Sequence, residues 1–218
     1  MRELSIIDSD LLELPKSIGK LKQLEKFVLK SQFPTLRLKT LPDEFCHLQS
    51  LEHLSLINCN SMKSLPDCFG NLTKLQHIDL SGSGQLNMLP NFFGKLCNLR
   101  QIDFSKCYSL KDLPDSFENL KNLQKVNFSY CTSLKGLQDS LGNLKNLQHI
   151  DLSGCSKLEK LPDSLGELNN LRRIKCWVFL LQWHGKIPKP DNQTNTTEQM
   201  LCFLCSRIFL HRGPFLKK

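Results

Sequence analysis

Leucines recur along this chain with a step of 24 residues, and this repeat restricts the fold more than any other feature of the sequence. The leucines that open successive units are Leu48, Leu72, Leu96, Leu120, Leu144 and Leu168, and the opener before them, Leu21, lies 27 residues upstream. The repeated unit reads LxxLxxLxLxxCxxLxxLPxxFxx. Periods of this length are typical of solenoids, in which stacked units bury a continuous core that one unit could not bury alone.

The first half of each unit has the alternation of a short strand. In the unit that starts at Leu48, the side chains of Leu54 and Leu56 would point inward, whereas those of His53 and Ser55 would point outward. Strands stacked at the usual spacing of about 4.8 Å would form a parallel sheet over a row of apolar side chains. The pattern therefore predicts one sheet that runs along the whole solenoid.

The second half of each unit must leave the sheet, because the proline of its Leu-Pro pair cannot donate a hydrogen bond to a strand ladder. It would form turns and short helical segments on a convex face, and the short strands opposite would line a concave face. Aspartates after this pair are predicted to cap the helical turns, and glycines three residues later are predicted to have positive φ. The aspartates are Asp43, Asp67, Asp115, Asp139 and Asp163, and the glycines are Gly70, Gly94, Gly142 and Gly166.

One column of small sulfur or hydroxyl side chains follows the strands. Its members are Cys59, Ser83, Cys107, Cys131 and Cys155. A small buried donor there can bond the backbone groups that turn out of the ladder, so we interpret this column as a structural ladder. In-register side chains point the same way, which disfavours a disulfide, and they spread along a line, which disfavours a metal site. Three other cysteines, Cys46, Cys68 and Cys97, show no pattern that we recognise.

The outward residues of the strands are the candidate site for binding a protein partner. Lys106 and Tyr130 join this set because they replace glycine at positions equivalent to Gly82 and Gly154, and departures from a repeat can encode specificity. The candidate residues are His53, Ser55, His77, Asp79, Gln101, Asp103, Lys106, Lys125, Asn127, Tyr130, His149, Asp151 and Arg173.

Catalysis is not predicted. His77 with Asp79, and His149 with Asp151, have the spacing of a general base and its orienting carboxylate, but no nucleophile or phosphate-binding loop accompanies them. We therefore expect no enzyme activity, no cofactor and no metal. The formal charge is +8, with 29 basic residues interspersed among 21 acidic ones, which is typical of a solvated surface and not of a nucleic-acid site. No apolar run reaches the roughly 18 residues of a membrane span.

The repeat pattern predicts two regions. Residues 1–176 would form the solenoid, with about seven units, and residues 177–218 share no column with the repeats. The first part of this tail is apolar enough to cover the open end of the core, whereas its polar middle is typical of disorder. The first residues lack the pattern of a secretory signal, so we expect a cytoplasmic or nuclear location.

The unit resembles the leucine-rich repeat in its 24-residue form over about residues 4–176. Stretches such as NLQHIDLSGCSKLEKLPDSLGEL are similar to repeats of plant intracellular immune receptors of the nucleotide-binding, leucine-rich-repeat class. The resemblance implies an α/β solenoid that recognises a protein ligand, or the receptor's own nucleotide-binding domain, in defence signalling. One alternative is an intracellular scaffold of LPxxF repeats for small GTPase or phosphatase signalling. Another is a non-catalytic part of an enzyme.

Overall fold

The computed structural model describes residues 1–7, 11–31 and 36–176. Within these ranges, eight strands form a single parallel sheet in which neighbours in sequence are neighbours in space. The strands are β1 (Glu3–Ile7), β2 (Lys26–Lys30), β3 (His53–Ile57), β4 (His77–Asp79), β5 (Gln101–Asp103), β6 (Lys125–Asn127), β7 (His149–Asp151) and β8 (Arg173–Lys175). This arrangement confirms the predicted solenoid with short parallel strands.

The strands pair so that equivalent positions of the repeat lie side by side. His53 is in register with Lys26 on one side and His77 on the other. The inward residues of β3, Leu54 and Leu56, are 2% and 0% exposed, as the alternation predicted. Each unit therefore extends one apolar interior, which runs beneath the sheet from Leu14 to Cys176.

Seven short 3-10 helices lie on the opposite, convex side of the described chain. They span Lys16–Lys20, Asp43–His47, Asp67–Asn71, Phe93–Lys95, Asp115–Asn119, Asp139–Asn143 and Asp163–Glu167. The prediction that aspartates cap these turns is wrong. The cap position belongs to the preceding residue, such as Pro42 with φ −68°, and no cap side chain makes a hydrogen bond. The fixed φ of proline directs the chain into the turn, and the aspartate is already its first residue.

The prediction of positive φ at the convex glycines is also wrong. Among described glycines, only Gly82 and Gly154 have positive φ, and both lie in the turns that follow strands β4 and β7. Glycine is required on the convex side for close approach instead. A Cβ atom on Gly94 would collide with the carbonyl oxygen of Ser116 in the next turn, and one on Gly70 would collide with that of Phe92. Neighbouring turns pack backbone to backbone at these points.

A disulfide joins two neighbouring convex turns. Cys46 and Cys68 are bonded at an S–S distance of 2.03 Å with Cα atoms 5.9 Å apart. The two cysteines occupy different positions within their units, one just after and one just before the buried phenylalanine, so the repeat pattern did not pair them. The bond connects two units covalently.

The 177–218 tail lies outside the described residues, as do the predictions that it is part cap and part disordered. Over the three ranges that the structure describes, no helix has the length and hydropathy needed to cross a membrane.

Candidate functional site

The outward face of the sheet forms a groove of about 740 Å³, lined by residues of strands β2 to β8. We call this surface the concave face. Every predicted partner-binding residue on a strand lines it: His53, Ser55, His77, Asp79, Gln101, Asp103, Lys125, Asn127, His149, Asp151 and Arg173. The strands are locked to one another by backbone hydrogen bonds, so these side chains stand on a rigid frame.

The first outward residues of the strands form one row across the sheet. This row, which we call the basic row, consists of Lys26, His53, His77, Gln101, Lys125, His149 and Arg173. From β2 to β8 the row contains no carboxylate, but at its β1 end Glu3 is in register with Lys26 and pairs with it at 3.4 Å. The rings of His53 and His77 stack with their centroids 4.5 Å apart and their planes 11° from parallel. Regular stacking thus gathers basic and imidazole groups along one side of the groove.

The third residues of the strands form a parallel row of different chemistry. This acidic row consists of Ser55, Asp79, Asp103, Asn127 and Asp151, and it ends at Lys175. The Oδ1 atoms of Asp79, Asp103 and Asp151 each accept a hydrogen bond from the backbone N–H of the serine two residues later, at 2.9, 2.7 and 3.0 Å. These bonds hold the carboxylates in fixed orientations.

Lateral contacts occupy most of the remaining acidic-row oxygens. Asn127 Nδ2 donates to Asp103 Oδ2 at 2.9 Å, and Lys175 Nζ lies 3.4 Å from Asp151 Oδ2. The acidic row is therefore largely satisfied within the protein.

Neither His–Asp pair forms the bond that a general base would need. The Nδ1 atoms of His77 and His149 are buried and have no hydrogen-bond partner in the structure, whereas the aspartates bond the serine N–H groups. A proton on this nitrogen would be an unsatisfied donor, so the neutral tautomer with its proton on Nε2 is favoured. Each histidine then offers a single N–H donor. Among the described residues, no group of three or more His, Cys, Asp or Glu could hold a metal ion.

The environment disfavours the charged form of both histidines. Burial lowers the pKa of His77 below 6.5, with further lowering by His53, Arg100 and Lys125. Burial also lowers the pKa of His149, followed by the repulsion of Lys125, Arg173 and Arg172. The neighbouring positive side chains are therefore close enough to lower the pKa of His77 and His149.

These shifts predict how stability depends on pH. As pH falls, the unfolded chain, with histidine pKa near 6.5, takes up protons at a higher pH than the folded chain does. The contribution of the neutral histidines to the free energy of unfolding is therefore intact above pH 6.5 and is lost as pH falls below it. We expect the double variant His77→Gln/His149→Gln to show a smaller loss of unfolding free energy between neutral and acidic pH than the wild type. Chemical denaturation at several pH values measures this, and NMR titration midpoints at or above 6.5 for both histidines would contradict it.

The turn that follows each strand lies along the edge of the concave face and has an unusual backbone. Asn58, Lys106 and Tyr130 have φ of 60°, 61° and 60°, and Gly82 and Gly154 occupy the equivalent positions with φ of 74° and 75°. Left-handed φ costs an ordinary residue about 1–2 kcal/mol, so Lys106 and Tyr130 are strained where the repeat also uses glycine.

Tyr130 is 45% exposed, and its ring lies over Gly154, where a Cβ atom would come within 2.7 Å of Cδ1. A second tyrosine on this edge, Tyr108, was absent from the predicted site. Tyr108 is 48% exposed and its ring lies beside Gly84 of the preceding unit. Its signal in the sequence was a bulky aromatic residue in a column otherwise held by small polar residues and glycine.

Four further residues beside the groove were absent from the predicted site. Lys26 and Lys175 line it at the two ends of the rows, while Arg100 and Arg172 directly precede strands β5 and β8. Lys26 and Lys175 could have been found from their places in the columns of the two rows, and Arg100 and Arg172 from the column that precedes the strands. The predicted residue Lys106 lies on the edge with Tyr130 and not in the groove lining.

The cysteine column lies beneath the surface and contributes no chemistry to the groove. Four members of the column each donate to a carbonyl oxygen of the preceding unit: Ser83 Oγ to Leu56 at 3.1 Å, and the Sγ atoms of Cys107, Cys131 and Cys155 to Leu80, Phe104 and Phe128 at 3.3, 3.1 and 3.1 Å. Burial raises the pKa of Cys59, Cys107 and Cys155 to about 12 and also raises that of Cys131. Thiols that remain protonated are poor nucleophiles and poor metal ligands.

Comparison with known proteins supports the same architecture. The family model described as Leucine Rich Repeat matches residues 50–72 and 146–168. A search of curated proteins finds no match to the chain.

Several solved structures share the fold. The leucine-rich repeat domain of the type III effector XopL is 22% identical with a TM-score of 0.60, over 83% of this chain and 69% of that one. Internalin C2 from Listeria monocytogenes is 16% identical with a TM-score of 0.56, over 84% of this chain and 80% of that one. A chain of the Drosophila Toll–Spätzle complex is 19% identical with a TM-score of 0.53, over 84% of this chain but 27% of that one. At these identities the likeness concerns the fold. The repeated columns and the eight-stranded parallel sheet give this chain the fold of a leucine-rich repeat solenoid, and two of its units match the Leucine Rich Repeat model.

Proposed function

We propose that the concave face binds a protein partner and that this chain is a recognition module without catalytic activity. The observation that supports this most directly is the pair of polar rows, whose side chains stand on a rigid sheet and, in the acidic row, are fixed by hydrogen bonds to serine N–H groups. Groups that are already ordered lose little conformational freedom on binding. The groove is open along its length, which suits a protein surface or segment better than a small molecule.

We further propose, from the similarity of its repeats, that the chain acts in plant defence as the recognition region of an intracellular immune receptor. The ligand would be a protein, or the nucleotide-binding domain of the same receptor. A glycine-rich GxxxxGK[ST] loop encoded upstream of the region for Met1 in the same gene would support this. Its absence from the gene would remove the main support for the receptor role.

The Cys46–Cys68 disulfide bears on the proposed location. Such bonds persist in oxidising compartments and are rare in the cytosol, where thiols are kept reduced. In a cytoplasmic or nuclear protein, Cys46 and Cys68 would be reduced most of the time. The recognition proposal does not depend on the bond, because it joins convex turns away from the groove.

Affinity capture with matched variants tests the concave face. The bait Lys125→Glu changes a residue that lines the groove, and Lys121→Glu makes the same charge change on an exposed residue outside it. We expect mass spectrometry of captured plant proteins to show partners that are retained by wild type and Lys121→Glu but lost from Lys125→Glu. Identical partner sets for all three baits would rule out the concave face as the binding surface.

Substitution of Tyr130 tests binding separately from stability. Tyr130→Gly removes the left-handed strain and introduces the residue that the repeat uses at Gly82 and Gly154, but it also removes the ring packed over Gly154. These terms oppose each other, so we expect the free energy of unfolding to change by less than about 1 kcal/mol. An exposed tyrosine is a common binding anchor, so partner recovery should fall. Thermal unfolding and capture assays measure the two effects, and unchanged recovery would exclude Tyr130 from the interface.

A further inference from the structure

We propose that the basic row binds an acidic segment of the protein partner, which lies across strands β4 to β8 along the axis of the solenoid. This inference rests on the proposed function and specifies the chemistry of the occupant. It concerns the part of the concave face between His77 and Arg173.

The first support is a cluster of cations without counterions. Lys125 and Arg173 flank His149 in register, and Arg100 and Arg172 lie one residue before their strands. All four cationic side chains are exposed, and none belongs to an ion pair among the described residues. By contrast, Lys175 at the end of the acidic row is paired with Asp151. The four cations of this cluster thus remain available to an incoming anion, whereas Lys26 at the far end of the basic row is paired with Glu3.

The second support is that the neighbouring carboxylates are already engaged. Asp103 accepts hydrogen bonds from Ser105 N–H and from Asn127, and Asp151 accepts from Ser153 N–H and pairs with Lys175. These contacts engage both oxygens of Asp103 and of Asp151 within the protein, so neither carboxylate is paired with a cation of the basic row. The lowered pKa of both His77 and His149, to which cations of this cluster contribute, agrees with a positive potential there.

Geometry favours a narrow occupant. Four steps of about 4.8 Å between β4 and β8 give the row a length of about 19 Å. Residues two apart on a strand are separated by about 7 Å, so Asp79, Asp103 and Asp151 lie parallel to the row at that distance. A polyanion with charge on all sides, such as nucleic acid, would meet both rows and be repelled by the second. An acidic protein segment can place its carboxylates on the basic row and turn other groups toward the aspartates.

Neutral histidines fit this arrangement. Because Nδ1 is buried and unpartnered in His77 and His149, Nε2 is the ring nitrogen left to donate a hydrogen bond to a carboxylate oxygen. The row then offers both charge and hydrogen-bond donors at regular spacing. Such a site would select a ligand by the positions of several carboxylates and not only by their total charge.

The test uses fluorescein-labelled peptides of one length in which alternating positions carry Glu, Gln or Lys, with binding measured by fluorescence anisotropy on the full chain. We expect the Glu peptide alone to bind, with an affinity that falls as salt is added. The double variant Lys125→Gln/Arg173→Gln should weaken binding about tenfold. The matched variant Lys121→Gln/Lys74→Gln removes two exposed lysines outside the groove and should bind as the wild type does.

Three outcomes would overturn the inference: equal binding of the Gln peptide, equal weakening in both double variants, or tighter binding of an oligothymidine or a phosphoserine peptide than of the Glu peptide. The capture experiment separates this inference from the proposed function. If the Lys125→Gln/Arg173→Gln bait still recovers the partners while Tyr130→Gly loses them, the chain binds protein through another part of the concave face. If neither bait loses partners, the proposed function itself fails.

Discussion

Replacing Phe104 by alanine should lower the free energy of unfolding by about 3–5 kcal/mol, a cost typical of emptying a large aromatic site in a core. The Phe104 side chain is fully buried. Its ring stacks on Phe128 with centroids 5.5 Å apart and lies 6.3 Å from Phe93. Because these rings come from neighbouring units, the cavity would open at an interface between repeats. Stability of a solenoid depends on such nearest-neighbour interfaces, so the loss should spread to adjacent units.

Two matched variants sharpen this prediction. Phe92→Ala removes the same side chain from a position that is 56% exposed, and it should cost far less than Phe104→Ala. Phe104→Leu introduces the residue found at the equivalent positions Leu56, Leu80 and Leu152 and should cost about 1 kcal/mol. Urea denaturation followed by circular dichroism gives the three values. Similar losses for Phe92→Ala and Phe104→Ala would show that the ring stack does not hold the units together.

The sheet was predictable because two periods in the sequence agree. The 24-residue step fixes which residues are lateral neighbours, and the two-residue alternation fixes which side faces the core. Together the two periods predict that His53 lies beside His77 and Leu54 beside Ile78, and the structure has this register. The composition of the two rows follows from the same reasoning, since each column of the repeat becomes one line of side chains.

The convex side was less predictable because its short 3-10 helices have different residue preferences from those of a longer helix. An aspartate before an apolar residue suggests a cap, yet Pro42 and its equivalents occupy the cap position. Glycine has two uses that a single sequence cannot separate, left-handed φ and close approach, and Gly94 serves the second. The hydrogen bonds that serine N–H groups donate to the aspartates likewise depend on side-chain orientation, which the repeat pattern does not specify.

The pairing of Cys46 with Cys68 was not predictable for a related reason. Register compares equivalent positions, and these two cysteines are not equivalent. They meet because the 3-10 helices Asp43–His47 and Asp67–Asn71 lie side by side, so that the end of one is near the start of the other. Contacts between different columns require the path of the chain between strands, which the period alone does not give.

Loss of this disulfide should lower the free energy of unfolding by about 3 kcal/mol, from the chain entropy released when a bridge between residues 22 apart is removed. We expect the wild type to unfold at a lower temperature in the presence of a reductant. The double variant Cys46→Ser/Cys68→Ser should unfold at that same lower temperature with or without reductant. The matched variant Cys97→Ser changes an exposed free cysteine and should keep the response of the wild type.

Alkylation before and after reduction identifies the bond by residue. Under non-reducing conditions a thiol reagent should modify Cys97, which is exposed, and spare the buried ladder thiols, whose raised pKa keeps them protonated. Peptide mass spectrometry should find Cys46 and Cys68 modified only after reduction. Modification of both without reductant, in protein purified under oxidising conditions, would contradict the bond. If the reductant lowers the unfolding temperature of the wild type as expected, the covalent contact between these two units depends on the redox state of the compartment. The register of the sheet does not depend on it, because the strands are held by other contacts.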